Sequence, residues 1–198
     1  ILGIIIFFII IYIIYINLPP LLNYDEALEV GEEKYLEFLW MVDGAFNDTR
    51  YNYTYLVNDK ELSSDNKEFT CTFEKNKSIC TSRNFEDSFT HLFYHTIKYD
   101  DVYSDDLSFK WYNKEKDYYT FTSLNTCDAN RMGKEHKLSV DSVERGIITY
   151  KVEFEDNLSS KNGSRKYNKT FTLKYENRRW KVSSAYYHDL CGMDYNLN

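Results

Sequence analysis

At 198 residues the chain is long enough for one ordinary domain with a real core. It carries 31 acidic against 24 basic side chains, a net charge of −7, and no basic stripe, which excludes the electrostatic footprint of a nucleic-acid binder. No Gly-x-Ser-x-Gly, phosphate-binding loop, dinucleotide fingerprint, His-Glu-x-x-His or calcium-loop pattern occurs, so the enzyme classes that depend on those motifs are excluded as well.

Ile1 to Ile16 is an unbroken apolar run without a charge, ten of its residues isoleucine. As a helix, Ile1 to Leu18 would span about 27 Å at about 1.5 Å per residue, close to the hydrocarbon thickness of a bilayer. Tyr12 and Tyr15 sit toward the end of the run, where amphipathic rings prefer the headgroup zone. Pro19 and Pro20 then stop the helix. Residues 1–18 are therefore expected to be a single-pass transmembrane helix, 19–23 a linker and 24–198 one folded domain. No Ala-x-Ala-like cleavage site follows the run, which argues against a removed signal peptide. The first cysteine is Cys71, too distant for a lipoprotein.

Asn23 followed by Glu26 reads as a capping box, and Leu28, Tyr35, Leu39, Val42 and Phe46 recur at helical spacing. An amphipathic helix is expected from Tyr24 to about Phe46. Tyr51 to Val57 reads as a strand and the polar run after it as a loop. Asn84 reads as a second N-cap, with Phe85, Phe89, Leu92, Phe93 and Thr96 on one face of a helix ending near Lys98. From there the period becomes two. Ser108 to Asn113 and Tyr118 to Ser123 flank a polar turn. Ile148, Tyr150, Val152 and Phe154 alternate with polar residues, as do Phe171, Leu173 and Tyr175, then Trp180 and Val182. These are antiparallel strands with one face buried. Helices followed by such a run predict an α+β domain, its helices packed on a curved antiparallel sheet.

Four cysteines behind an export segment read as disulfides on an oxidising side of the membrane. Three pairings exist, and spacing favours one. Folded as a hairpin about Glu74-Lys75-Asn76-Lys77, the chain sets Cys71 opposite Cys80, within disulfide reach. Cys127 is then left for Cys191. Neither pair has the spacing of a zinc knuckle. Six Asn-x-Ser/Thr sequons occur, at Asn47, Asn52, Asn76, Asn157, Asn162 and Asn168. The Ile, Asn, Lys and Tyr richness also fits an AT-rich bacterial genome, where such sequons carry no glycan, and that is the reading adopted.

Candidate chemistry is thin. His91 and His95 stand four apart with Asp87 one turn earlier, a metal-ligand spacing on a helix, but the stripe lies off the apolar face and reads as solvated. His136 falls in a polar stretch that reads as a loop. His188 stands next to Asp189, but sequence neighbours on a strand point to opposite faces. No catalytic residue, metal or cofactor is therefore assigned. Trp111, Tyr119, Phe121, Tyr150 and Trp180 could line a pocket on the concave side of the sheet.

The closing hairpin, Phe171 to Val182, places a polar turn before a Trp-x-Val strand. Together with the long opening helix, it resembles cystatin-like and NTF2-like domains. Among exported members the chain is most similar to the inhibitors of cell-wall DL-endopeptidases of low-GC Gram-positive bacteria. That resemblance implies a non-enzymatic, protein-binding role at the cell envelope, with a wall hydrolase as the kind of partner. The alternative it implies is an NTF2-like domain that binds a small ligand, or acts on one, in the concave face.

Overall fold

A computed structural model describes residues 2–42, 56–60, 70–74, 77–81, 85–98, 109–113, 118–122, 132–156, 165–188 and 194–197. The first helix, α1, is Leu2–Asn17. Its sixteen residues reach about 24 Å at about 1.5 Å per residue, short of the roughly 30 Å of bilayer hydrocarbon. Among the described residues no helix is long and apolar enough to cross a membrane. The apolar run expected as a helix over 1–18 is helical over Leu2–Asn17 and ends before Pro19. Ile4, Phe7, Phe8, Ile11 and Tyr12 are all exposed, so α1 does not pack into the core.

Helix α2, Tyr24–Val42, starts where the capping box predicts. The Asn23 backbone N–H donates to Glu26 Oε2 at 2.9 Å, and the Glu26 N–H donates to Asn23 Oδ1 at 3.0 Å. Ala27, Gly31, Tyr35, Phe38 and Leu39 are buried at helical spacing. The expected continuation to Phe46 lies outside the described residues.

Among the described residues the strands are β1 (Leu56–Val57), β2 (Thr70–Glu74), β3 (Lys77–Thr81), β4 (Phe109–Asn113), β5 (Tyr118–Thr122), β6 (Met132–Glu144), β7 (Ile147–Asp156), β8 (Arg165–Glu176), β9 (Arg179–His188) and β10 (Asp194–Leu197). They form two sheets. One is four-stranded and antiparallel, in the order β2-β3-β5-β4. The other is six-stranded, in the order β1-β6-β7-β8-β9-β10, and curls into a half-barrel. Its β1 runs parallel to β6, so the sheet is mixed rather than purely antiparallel. The class is α+β, as expected, but a single curved sheet was too simple.

The large sheet buries alternate residues, as its period predicts. Ile148, Tyr150, Val152 and Phe154 of β7 and Phe171 and Leu173 of β8 are buried. In β9 the inward series runs Trp180, Val182 and then Ala185. The register slips between Thr172 and Leu173, and this bulge inserts Ser183 and resets the phase. The buried Ser183 hydroxyl is satisfied by donating to Thr172 O at 3.2 Å.

Helix α3 is Phe85–Leu92, ending well before Lys98. The reason is the start of β9, which β10 leaves uncovered because it pairs only with Ala185 to His188. Phe93 bridges Val182 in parallel, and the Tyr94 N–H donates to Val182 O at 2.8 Å. The chain abandons its helical bonds to satisfy a strand edge. Phe93 thereby packs on Phe89 and meets Phe38 edge-on, at ring centroid distances of 4.5 and 6.2 Å.

Candidate functional site

Two polar clusters form within the described domain. The first joins α2, the turn after β1, and β6. Asn58 and Asp59 both have positive φ, 49° and 64°. Val57 and Lys60 exchange two backbone hydrogen bonds of 2.9 Å around them. Such a turn needs residues that tolerate the left-handed region, and Asn-Asp meets that need. Asn58 then acts as a strand extension. Its N–H donates to His136 O at 3.0 Å, its Nδ2 to Leu138 O at 2.8 Å, and its Oδ1 accepts from Leu138 N at 2.9 Å.

The same Nδ2 donates to Glu32 Oε1 at 2.7 Å, and Lys60 Nζ pairs with Glu32 Oε2. Glu32 is buried on the α2 face toward the sheet. A buried carboxylate without partners would be costly; here both oxygens are engaged. The hydrogen bond to Glu32 in turn raises the Lys60 ammonium pKa. Glu32 is not among the apolar residues that mark the helix in the sequence. Its spacing from Leu28 and Tyr35 put it on the inner face and was the available signal.

One turn along α2, Tyr35 is fully buried, and burial pushes its phenol pKa well up, so it stays neutral. Its hydroxyl shares a 3.0 Å hydrogen bond with His136 Nδ1. His136 does not lie in a loop, as its polar neighbours had implied. It occupies an inward position of β6, because Leu138 and Val140 continue the alternation. The imidazole stacks on Phe154 at 5.0 Å, and Phe154 on Tyr167 at 5.2 Å. The register pairs His136 with Phe154 and Phe154 with Tyr167, so three strands present one ladder of stacked rings.

The second cluster joins the segment after α3 to the β8–β9 hairpin. Lys181 Nζ pairs with Glu176 Oε2 at 2.9 Å, and His95 Nδ1 with Glu176 Oε1. Burial alone would raise the Glu176 carboxyl; the hydrogen bonds from Lys181 and His95 outweigh it and hold the pKa below 4.5. Lys181 is buried, His95 exposed.

The residues expected to line a pocket are shared between the two sheets. Trp111, Tyr119 and Phe121 belong to the four-stranded sheet; Tyr150 and Trp180 belong to the six-stranded one. Tyr150 is a core residue, its hydroxyl donating to Ala27 O at 2.7 Å. Trp180 packs edge-on against Tyr175 at 5.2 Å. The register sets Cys71 opposite Cys80, while Cys127 and Cys191 lie outside the described residues. His95 falls beyond the end of α3, so it and His91 do not share a helical face. Among the described residues no cluster of three or more His, Cys, Asp or Glu side chains could hold a metal. His188 ends β9, and Asp189 lies outside the described residues.

Chemically, these arrangements hold structure. Among the described residues, the buried Tyr35 hydroxyl, Glu32, Lys181 and Ser183 are each met by another part of the fold, and the His136 imidazole stacks on Phe154. No protein-family model matches the chain, and no curated protein sequence matches it.

Proposed function

We propose that the chain is a non-catalytic binding domain of cystatin-like or NTF2-like type, held at the cell membrane through α1 and working on the extracytoplasmic side. It grips a protein at the cell envelope, a wall hydrolase being the class that the resemblance favours. One observation carries this reading: aromatic side chains fill the space between α2 and the curled sheet. Tyr35 meets Phe171 edge-on at 4.9 Å, Phe38 lies 5.9 Å from the same ring, and Tyr150 lies 5.8 Å from it. A face packed this way favours recognition at the domain's surface over turnover in its interior. The exposed apolar α1 supports membrane attachment, and the paired register of Cys71 and Cys80 supports an oxidising compartment.

The test uses the full chain in detergent with a purified DL-endopeptidase and peptidoglycan. Stoichiometric complex formation and loss of peptidoglycan cleavage are expected. Unchanged cleavage, together with no stoichiometric partner recovered from solubilised envelope, overturns the proposal.

A further inference from the structure

The end of the large sheet nearest α1 differs from the rest of this acidic chain. Both hairpin turns at that end, Arg145-Gly146 between β6 and β7 and Asn177-Arg178 between β8 and β9, lie side by side. Ile147 pairs with Lys174, Glu176 pairs with Arg179, and the Tyr175 N–H donates to Gly146 O at 2.9 Å. Two strand spacings set the turns about 10 Å apart. Arg145, Arg178 and Arg179 are exposed there, three of the chain's seven arginines. Near the first turn Val143 and Ile147 are exposed apolar side chains, and Glu144, also exposed, pairs with Ile147.

This end also touches the residue that closes α1. Pro19 Cγ would lie 3.0 Å from a Cβ built on Gly146, whose φ of +83° suits glycine. The next residues outward, Leu18 and Leu21, are exposed, Leu21 at 79%. Apolar surface thus runs from α1 through Leu18 and Leu21 onto the hairpin tip, with guanidinium groups beside it. Apolar side chains flanked by basic ones are the composition of a surface that rests in a membrane interface facing anionic headgroups.

We propose that the two turns dock on an anionic lipid surface. Val143 and Ile147 enter the interface, Arg145, Arg178 and Arg179 meet lipid phosphates, and the domain is held in one orientation instead of swinging on α1. This rests on the membrane attachment proposed above.

Hydrogen exchange on the full chain in vesicles tests it, with pure phosphatidylcholine compared against a mixture containing phosphatidylglycerol. Amides of 144–147 and 176–179 should exchange several-fold more slowly in the anionic vesicles. The triple variant R145E/R178E/R179E should lose that difference while α1 still resists carbonate extraction; Arg145→Gln, a milder change, should lose part of it. Extraction of the wild-type chain by carbonate would mean that the attachment itself fails. A chain that stays attached, with turn amides exchanging equally in both lipids, or a triple variant that keeps the protection, would overturn the docking alone.

Discussion

The ring of Tyr150 lies directly against Gly31 in the middle of α2: a Cβ at Gly31 would fall 2.6 Å from Tyr150 Cζ. Glycine is costly inside a helix by about 1 kcal/mol against alanine. Here that cost lets α2 approach β7 closely, and the Tyr150 hydroxyl pins the contact by donating to Ala27 O. The ring cannot retreat, since it is wholly buried and packed on Phe171.

Gly31→Ala should therefore destabilise the domain by about 2 kcal/mol, overpacking outweighing the gain in helix propensity. Adding Tyr150→Leu to the same chain makes room for the methyl group. The double variant should then be more stable than the two single losses add up to, by about 1 kcal/mol or more. Urea unfolding of the four proteins measures the coupling; additive losses would show that the ring and the glycine are independent.

The Asn58 carboxamide stands in for a strand residue at the edge of β6, and it also donates to a buried carboxylate. Asn58→Asp removes both donated bonds and sets a second negative charge beside Glu32, which a single Lys60 must then serve. A loss of about 3 kcal/mol is expected at neutral pH. Asn58→Asp combined with Glu32→Gln relieves the repulsion and should regain part of it. Equal stability of the two variants would show that charge at this site does not matter.

Much of this architecture is legible in residue order, and the illegible parts share a cause. β7, β8 and the start of β9 have one buried and one wet face, so period two shows plainly. The capping box is visible because its two partners lie three residues apart. By contrast, β6 opens with Met132, Gly133, Lys134, Glu135 and His136, a stretch too polar to show as a strand. His136 can point inward because Tyr35, 101 positions away in sequence, meets its ring nitrogen. No local pattern reveals such a partner. The bounds of α3 were lost for the same reason: the edge of β9 that captures Phe93 comes almost ninety residues later. Nor does composition show that Trp111, Tyr119 and Phe121 belong to one sheet and Tyr150 and Trp180 to the other, since pairing order alone decides it.

The cross-strand register of Cys71 and Cys80 leads to a covalent prediction. Residues opposite each other in an antiparallel pair have Cα atoms about 4.5–5.5 Å apart, within the range a disulfide spans. Non-reducing peptide mapping should recover Cys71 linked to Cys80 and, by exclusion, Cys127 linked to Cys191. Cys71→Ala with Cys80→Ala should lower stability by about 3 kcal/mol through the freed short loop. Four alkylatable thiols in the native protein would refute both the bridges and the oxidising compartment.

Glu176 leads to a dependence on pH whose sign is fixed. Its pKa is lower in the folded protein than its ordinary 4.5, because Lys181 and His95 outweigh the effect of burial. The unfolded chain therefore takes up this proton first as acid is added. The contribution of the ionised Glu176 is fully present above pH 4.5 and is lost as pH falls through the lower folded value. Glu176→Gln should destabilise the domain at pH 7, and the gap from wild type should close progressively below about pH 4.5. His95→Ala, which removes one of the two partners, should produce a smaller gap that closes in the same direction. Chemical unfolding at half-unit steps between pH 3 and 7 measures both curves. A gap between wild type and Glu176→Gln that stays constant across that range would mean the carboxylate is not held by these partners, leaving the Phe93–Val182 bridge, the Tyr94 hydrogen bond to Val182 O and the Lys174–Tyr94 contact to join the β8–β9 hairpin to the segment after α3.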